Sequence, residues 1–526
     1  MPADKPVPSL VKVSAAAVHG IDAIIVTVET VVSRGLQYTI VGLPDAAVKE
    51  SYERVRSAMV QSGYQLGRVN AVINLSPADV RKEGAAYDLP IAVSLLAASG
   101  TISAESLDDY LIMGELSLDG SVLPVRGILP MAIEARARGY KGMIVPEANA
   151  TEAAVVNNVD VYGVTNLREV ADLLTGRSTL KPTVVDTRAE FARAAAVFTD
   201  DFSDVRGQQG VKRALEVACA GGHNILLVGP PGSGKSMMAK RIPSIMPPLT
   251  LGEALETTKI HSVAGKLSRG SRLMTTRPFR APHHTISPVA MVGGGTYPTP
   301  GEISLAHNGV LFLDEFPEFP RSVLEVLRQP LEDRRISVSR AKYQLEYPAS
   351  FMLVASMNPC PCGYYNHPRR QCTCAPGAVR RYLSRISGPL LDRIDIQMEI
   401  LPVEVDELAG RPEGESSATI RERVVRARAI QAARFADCPG VHCNAQMTAA
   451  LKEKYCTLSE PVAALLKKAM EKYQMSARAY DRIIKVARTI ADLEGCPEIE
   501  KHHISEAISY RTLDKGTWGV TAQGTF

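Results

Sequence analysis

Residues Gly229-Pro230-Pro231-Gly232-Ser233-Gly234-Lys235-Ser236 form a glycine-rich turn that ends in a lysine and a hydroxyl. An apolar run, Asn224-Ile-Leu-Leu-Val228, leads into it, and Met237-Met-Ala-Lys-Arg241 follows. The pattern reads as strand, turn, helix, the context in which G-x-x-x-x-G-K-[ST] binds nucleotide phosphates. Glycines leave the backbone N–H groups of such a turn uncovered, and a helix N-terminus adds its dipole, so an anion can approach closely. Lys235 is expected to reach the terminal phosphates and Ser236 to hold Mg²⁺. A chance glycine turn is the bland alternative, and the full eight-residue match in this context disfavours it.

A second segment, Val310-Leu-Phe-Leu-Asp314-Glu315, is an apolar run ending in two acids. Strands of a buried parallel sheet read as continuous apolar runs, and ligands gather at their carboxyl ends. Asp314 would hold the metal and Glu315 would polarise an attacking water. Another apolar run, Phe351 to Met357, ends in Asn358, placed to sense a terminal phosphate or simply to make a turn. Arg393 lies in Ser387-Gly-Pro-Leu-Leu-Asp392-Arg393-Ile-Asp395, and Arg478 opens a strong helical pattern. Arginine near a transferring phosphoryl group neutralises developing charge. The alternatives are an Arg–Asp surface pair for Arg393 and a solvated helix residue for Arg478.

Cys360-Pro-Cys362 and Cys372-Thr-Cys374 form C-x-C-x9-C-x-C. Four thiolates suit a tetrahedral, structural Zn²⁺ with no position left for water. His367 is a spare ligand candidate, and free buried thiols are the alternative. Between Asp314 and Asn358 lies Arg334-Arg335-Ile-Ser-Val-Ser-Arg340-Ala-Lys342-Tyr343, whose alternation around a short turn predicts a β-hairpin. Arg334, Arg335, Arg340 and Lys342 could grip nucleic-acid phosphates, or simply protect a solvated sheet edge.

The elements that must position these residues divide the chain of 526 residues into several domains. A hydrophobic content of 45% supports real cores, and a net charge of +4 advertises neither nucleic acid nor membrane. No secretory pattern opens the chain, and its apolar stretches are too short to span a bilayer, so a soluble cytoplasmic protein without membrane partners is expected. Nine cysteines, an odd number, argue against a disulfide framework. Residues 1–185 alternate strand-like runs (Ala23–Val28, Tyr38–Val41, Ala71–Leu75) with helical stretches (Asp45–Ser62, Leu89–Ala98, Met131–Arg138). A linker over 186–203, a nucleotide domain over 204–401 and a helical region over 402–526 complete the expected order. The cysteine insert spans 360–374, and the tail after Thr512, with the single tryptophan Trp518, has no assigned role.

The order of motifs resembles that of AAA+ ATPases of the magnesium-chelatase-like branch, most closely the YifB/ComM family. The matching segments are Asp204-Val-Arg-Gly-Gln208, the phosphate loop, Arg277-Pro-Phe-Arg-Ala-Pro-His283-His284-Thr285, Gly301 to Glu315, Asn358 to Gly363, and Ser387 to Asp395. The resemblance implies an α/β fold, a P-loop αβα domain with a helical lid, and ATP and Mg²⁺ as cofactors. It implies Asn358 as a sensor, Arg393 as a finger acting on a neighbouring subunit, and Arg478 as a second sensor. It further implies a homohexamer acting on single-stranded and branched DNA, in branch migration and strand exchange during natural transformation and recombination, with recombinases as partners. The alternative is a chelatase-type or protein-remodelling ATPase that does not act on DNA.

The first region resembles the Lon-protease-like α+β fold, of the type also seen in the ribosomal protein S5 domain. Where that family's serine nucleophile would stand, this chain has Ala86, and where the lysine would stand it has Leu129. Without hydroxyl and amine there is neither nucleophile nor base, so this region is expected to be proteolytically dead.

Overall fold

The computed structural model describes residues 10–65, 67–187, 191, 198, 200–267, 273–295, 298–340, 343–402, 414–511 and 513. Lys342, Trp518 and most of the expected linker lie outside them. The chain divides into two compact units, Met1–Ala194 with Leu251–Thr275, and Ala195–Thr250 with Thr276–Phe526.

In the first unit, β1 (Val11–His19), β2 (Asp22–Arg34), β3 (Tyr38–Val41), β4 (Val69–Ser76) and β5 (Tyr110–Ile112) precede a short hairpin, β6 (Glu115–Leu116) and β7 (Val122–Leu123). β8 (Gly142–Pro146) and β9 (Asp160–Val164) complete a seven-stranded sheet of order β3-β4-β2-β1-β5-β8-β9. β1 and β2 pair antiparallel, and β5, β8 and β9 run parallel. The Asp88–Ala98 helix is apolar on nearly every side and buried throughout, as a helix packed between layers must be. The expected helix over Asp45–Ser62 is broken at Glu50 into Ala46–Lys49 and Ser51–Gln61. Asp45 caps the first piece by accepting from the Val48 N–H at 2.8 Å.

The segment Leu251–Thr275 also belongs to this first unit, which the periodicity of the sequence does not indicate. Its Leu255 and Leu273 pack against the first core, and Ser262 Oγ donates to Glu152 Oε1 at 2.5 Å. Ala86 lies in a short 3₁₀ turn (Ala85–Tyr87), and Leu129 is fully buried in the Ile128–Arg138 helix.

The second unit is built on β10 (Ile225–Val228), β11 (Phe279–Arg280), β14 (Val310–Leu313), β17 (Met352–Met357) and β18 (Ile396–Glu399). They form a sheet of order β11-β14-β17-β10-β18, and every neighbouring pair is parallel. β10, β14 and β17 are buried along their whole length, which accounts for a sequence that is apolar at every position but Ser356 of β17. Two small hairpins are inserted between strands of this sheet: β12 (Gly293–Gly294) with β13 (Thr299–Pro300) before β14, and β15 (Arg335–Arg340) with β16 (Tyr343–Pro348) before β17.

Helices follow the sheet. Ser417–Arg434 starts at Ser416, whose side chain accepts from Thr419 N–H, and Ala477–Glu494 starts at Ser476 and stops at left-handed Gly495. Asp492 ties this region together from a buried position. It accepts from Arg434 at 2.7 and 2.5 Å, from Arg488 Nε at 3.0 Å and from Asn444 Nδ2 at 2.8 Å.

Removing one member of a buried charge network leaves its partners desolvated and unpaired. Asp492→Ala should therefore destabilise the second unit by about 3–5 kcal/mol in chemical denaturation. Asp492→Asn, which keeps hydrogen-bond acceptance, should lose less.

Candidate active site

The phosphate loop leaves β10, an interior strand of the parallel sheet between β17 and β18. Gly229 sits so close to the backbone of Ile400 that a Cβ would stand 2.7 Å from its carbonyl oxygen, and Gly232 and Gly234 adopt φ of +77° and +85°. The loop thus needs glycine for close packing at one position and for left-handed backbone at two. Gly234 ends the turn and the Lys235–Ile245 helix begins at once, aiming its first N–H groups into the loop.

Lys235 is only 9% exposed. Its ammonium donates to the carbonyl oxygens of Gly229 at 2.7 Å and Pro230 at 2.9 Å, and to Asn358 Oδ1 at 3.3 Å. Burial pulls its pKa below the ordinary lysine value, and the negative charge of Asp314 works against that. Ser236 Oγ donates to Asp314 Oδ2 at 2.6 Å, and Ser356 Oγ donates to Asp314 Oδ1. The structure therefore brings Lys235, Ser236, Asp314 and Asn358 together from three strand ends, β10, β14 and β17. The Ser236 hydroxyl and the Asp314 carboxylate are hard oxygen donors beside a phosphate loop, a donor set that fits Mg²⁺.

Glu315 follows in a left-handed conformation, φ +55°, uncommon outside glycine. Its side chain is 59% exposed and faces His284, whose Nδ1 lies 3.4 Å from Glu315 Oε2. His284 comes from the loop after β11, the strand beside β14, and packs on His283 with ring centroids 4.1 Å apart. Sequence reasoning assigned no role to His284 or Ser356. The parallel order that sets β11 and β17 either side of β14 is what places them against the acid pair.

Arg393 and Arg478 go elsewhere. Arg393 is 8% exposed, donates to the Pro389 carbonyl at 2.6 Å and pairs with Glu332, not with a neighbouring aspartate at the surface. Arg478 is exposed and bonds Asp392 Oδ2 at 3.0 Å. Both line a cavity of about 220 Å³ that also holds Lys452, Arg482 and Lys485, and neither lines the cavity at the phosphate loop. Arg482, one helical turn beyond Arg478, reaches buried Asp395 at 3.1 Å, a contact that no motif or spacing announces. The phosphate-loop cavity encloses about 690 Å³.

The four cysteines of the insert converge. Cys360 Sγ lies 3.3 Å from Cys362 Sγ and 3.7 Å from Cys372 Sγ, and Cys362 and Cys372 are 3.5 Å apart. Cys374 completes the group, with all four sulfurs within 4.8 Å of one another. A tetrahedron of Zn–S bonds near 2.3 Å separates its sulfurs by about 3.8 Å, so the thiols fit one zinc ion. Burial pushes the Cys360 thiol up to about 12. Cys362 goes the other way, to about 6, because the N–H groups of Tyr364 and Thr373 outweigh its own desolvation. His367, the spare ligand candidate, is not part of this group; its Nδ1 accepts from the Arg369 and Arg370 N–H groups, both at 3.0 Å.

The hairpin β15–β16 is present, with Arg335 opposite Pro348 and Arg340 opposite Tyr343. Ile336, Val338, Leu345 and Tyr347 bury one face. Arg335 lies on the exposed face, 3.4 Å from Glu346, whereas Arg334 ends the Arg328–Asp333 helix in a left-handed conformation and donates to Ser350 Oγ at 3.3 Å. The Arg340 side chain and Lys342 fall outside the described residues. Among those residues, no helix is long and apolar enough to cross a membrane.

Three family profiles match the chain: magnesium chelatase, subunit ChlI, over residues 201–408; subunit ChlI of Mg-chelatase over 28–149; and the ChlI C-terminal family over 414–511. The chain is 44% identical over 515 residues to the protein YifB of Escherichia coli K12, covering 96% of this chain and 98% of that one. It is 42% identical over 508 residues to the competence protein ComM of Haemophilus influenzae, with the same two coverages. A shorter similarity, 30% over 159 residues, covers 28% of this chain and 27% of Lon protease 2 of Bacillus subtilis.

If the phosphate loop is the nucleotide site, Lys235→Ala should abolish ATP binding in a calorimetric titration. Glu315→Gln should bind ATP with the affinity of the unsubstituted protein and lose about 10²–10⁴ in turnover, the usual contribution of a positioned general base.

Proposed function

The chain belongs to the YifB/ComM family of magnesium-chelatase-like AAA+ ATPases, and from that premise we propose that it is an ATP-hydrolysing motor that acts on DNA. The convergence of Lys235, Ser236, Asp314 and Asn358 around one phosphate loop, with Glu315 beside them and open to water, carries the ATPase part of the reading. The relative named as a competence protein, together with the basic hairpin in the same unit, supports DNA as the track.

The proposed division of labour follows from position. The loop N–H groups and Lys235 hold the triphosphate, and Asn358 orients the end of Lys235. Ser236 and Asp314 would hold Mg²⁺, whose charge offsets that developing on the phosphoryl oxygens. Glu315 takes a proton from the attacking water, and His284 positions its carboxylate. Arg393 and Arg478 occupy a cavity of their own, so they are proposed to meet the nucleotide of a neighbouring subunit in a homohexameric ring. Movement of the β15–β16 hairpin along single-stranded or branched DNA would then drive branch migration during transformation and recombination. The first unit, with Ala86 and Leu129 where a Lon-type site needs serine and lysine, is proposed as a platform without protease activity. A cytoplasmic location and recombinase partners accord with this role. A protein-remodelling motor of the chelatase type is the second reading, favoured by the match to magnesium-chelatase subunit families.

The ATPase rate with single-stranded DNA, branched DNA and no DNA, with Glu315→Gln as the blank, separates the two. Stimulation of at least several-fold by DNA is the expected result; a rate indifferent to every DNA would assign the motor to a protein substrate.

The thiol group is proposed to hold one structural zinc. Metal analysis of the purified chain should find about one zinc per chain, falling to a small fraction of that in Cys362→Ser with Cys372→Ser.

A further inference from the structure

The cavity at the phosphate loop has a wall that the nucleotide motifs do not supply. Tyr364, His367, Arg369 and Arg370 line it, opposite Pro230 to Gly234 and beside Asp204 and Gln208. All four lie between Cys362 and Cys372, so both ends of the segment that carries them are fixed by cysteines of the thiol group. On one side, Cys360 stands two residues beyond Asn358, the residue that meets Lys235. At the same end, Gly363 adopts φ +84° and packs so tightly on the loop that a Cβ would stand 2.6 Å from Pro231 Cδ.

Within the segment the side chains are organised. Arg370 Nη1 donates to the Tyr364 hydroxyl at 2.7 Å, and its guanidinium lies 5.0 Å from the Tyr364 ring centroid. The His367 ring meets the same tyrosine edge-on at 5.6 Å and holds the turn by accepting the N–H groups of Arg369 and Arg370. An aromatic face and a guanidinium plane are the surfaces on which a purine stacks. A cavity of about 690 Å³ is of the size that buries a small organic ligand. The phosphates are fixed by the loop at one end, and the remaining space is bounded by this aromatic and cationic pair.

We infer that Tyr364 and Arg370 contact the base and ribose of the nucleotide, and that a metal ion held by the four thiols keeps them in place, so that metal occupancy sets nucleotide affinity. This rests on the phosphate-loop and zinc readings above and assigns the insert a part in binding as well as in stability. The metal acts only through the segment it pins; the thiols themselves touch no nucleotide.

The test is isothermal titration of the full-length protein with ATPγS. Four preparations are compared: the zinc-replete protein, the same protein stripped by an organomercurial and a chelator, Tyr364→Ala, and Arg370→Ala. Each substitution should weaken binding about tenfold, the size of a lost stacking contact, with zinc content and melting temperature unchanged. Stripping should weaken binding at least as much, and zinc added after a reducing thiol has displaced the mercurial should restore it, where the reducing thiol without zinc should not. Tyr364→Ala and Arg370→Ala proteins that bind like the unsubstituted chain would overturn the contact assignment without depending on the stripped sample's fold. Affinity that ignores stripping while the substitutions matter would overturn the metal's part. Lys235→Ala is run beside them. If it binds as well as the unsubstituted chain, the phosphate-loop reading falls; if it alone loses binding, only this inference does.

Discussion

A lysine ammonium that is almost wholly buried must find oxygen, and the second unit is arranged around that requirement. Lys235 meets two carbonyls of its own loop and the side chain of Asn358. Satisfying it requires the ends of β10 and β17 to lie side by side, which the parallel pairing of Leu227 with Ser356 and Val228 with Met357 provides. The same register carries Ser356 toward Asp314 on the next strand, and Asp314 toward Ser236 at the start of the helix. Cation, hydroxyl and carboxylate therefore reach one point because three adjacent strands end together. Apart from Ser356, their sequences are apolar throughout, as strands buried along their whole length must be.

How much of this was legible follows from what each feature depends on. The loop, the acid pair and the sensor position are local: a strand end and the residues after it lie within one short stretch of sequence. β10, β14 and β17 fall where apolar runs predict them, and the helix expected to open at Arg478 runs from Ala477 to Glu494, its ends marked by Ser476 and Gly495. His284 and Ser356 are placed by strand order, Tyr364 by the fold-back of the insert and Arg482 by the packing of its helix near Asp395, and no spacing announces any of these. Leu251–Thr275 is the plainest case. Its sequence sits between the loop and the acid pair, yet its apolar side chains complete the first core, so its place is decided by a partner surface far away in the chain.

The arginines show a different limit. Sequence can say that Arg393 and Arg478 follow the nucleotide motifs, but not which of the nearby acids each will meet. Arg393 is buried against Glu332, while Arg478 reaches from the surface to Asp392. Arg482, from the same helix as Arg478, meets Asp395, which burial alone would drive toward its neutral form. Asp395 is nonetheless held well below the usual carboxylate range, because Arg482, His223 and the Asn224 N–H together outweigh that desolvation. The cavity is therefore dense in charge but largely internally paired. A phosphate entering it would have to compete with Glu332 and Asp392 for the guanidinium groups, which makes the arginines responsive to what displaces those acids.

The cysteine insert obeys the logic of the phosphate loop by other means. A glycine turn leaves its backbone open to an anion, and the helix that follows makes it rigid. The insert has no such helix between Cys362 and Cys372; its order rests on His367 gathering two N–H groups and on the four sulfurs at its ends. Sulfurs spaced at 3.3–3.7 Å without bonding one another repel if several ionise, and thiols alone make weak hydrogen bonds. A cation at their centre would remove the repulsion and replace weak sulfur–sulfur contacts with four metal–thiolate bonds. With such a cation in place, the segment lining the phosphate-loop cavity would be as rigid as the thiol group that pins it, whereas the Lys235–Ile245 helix needs no metal.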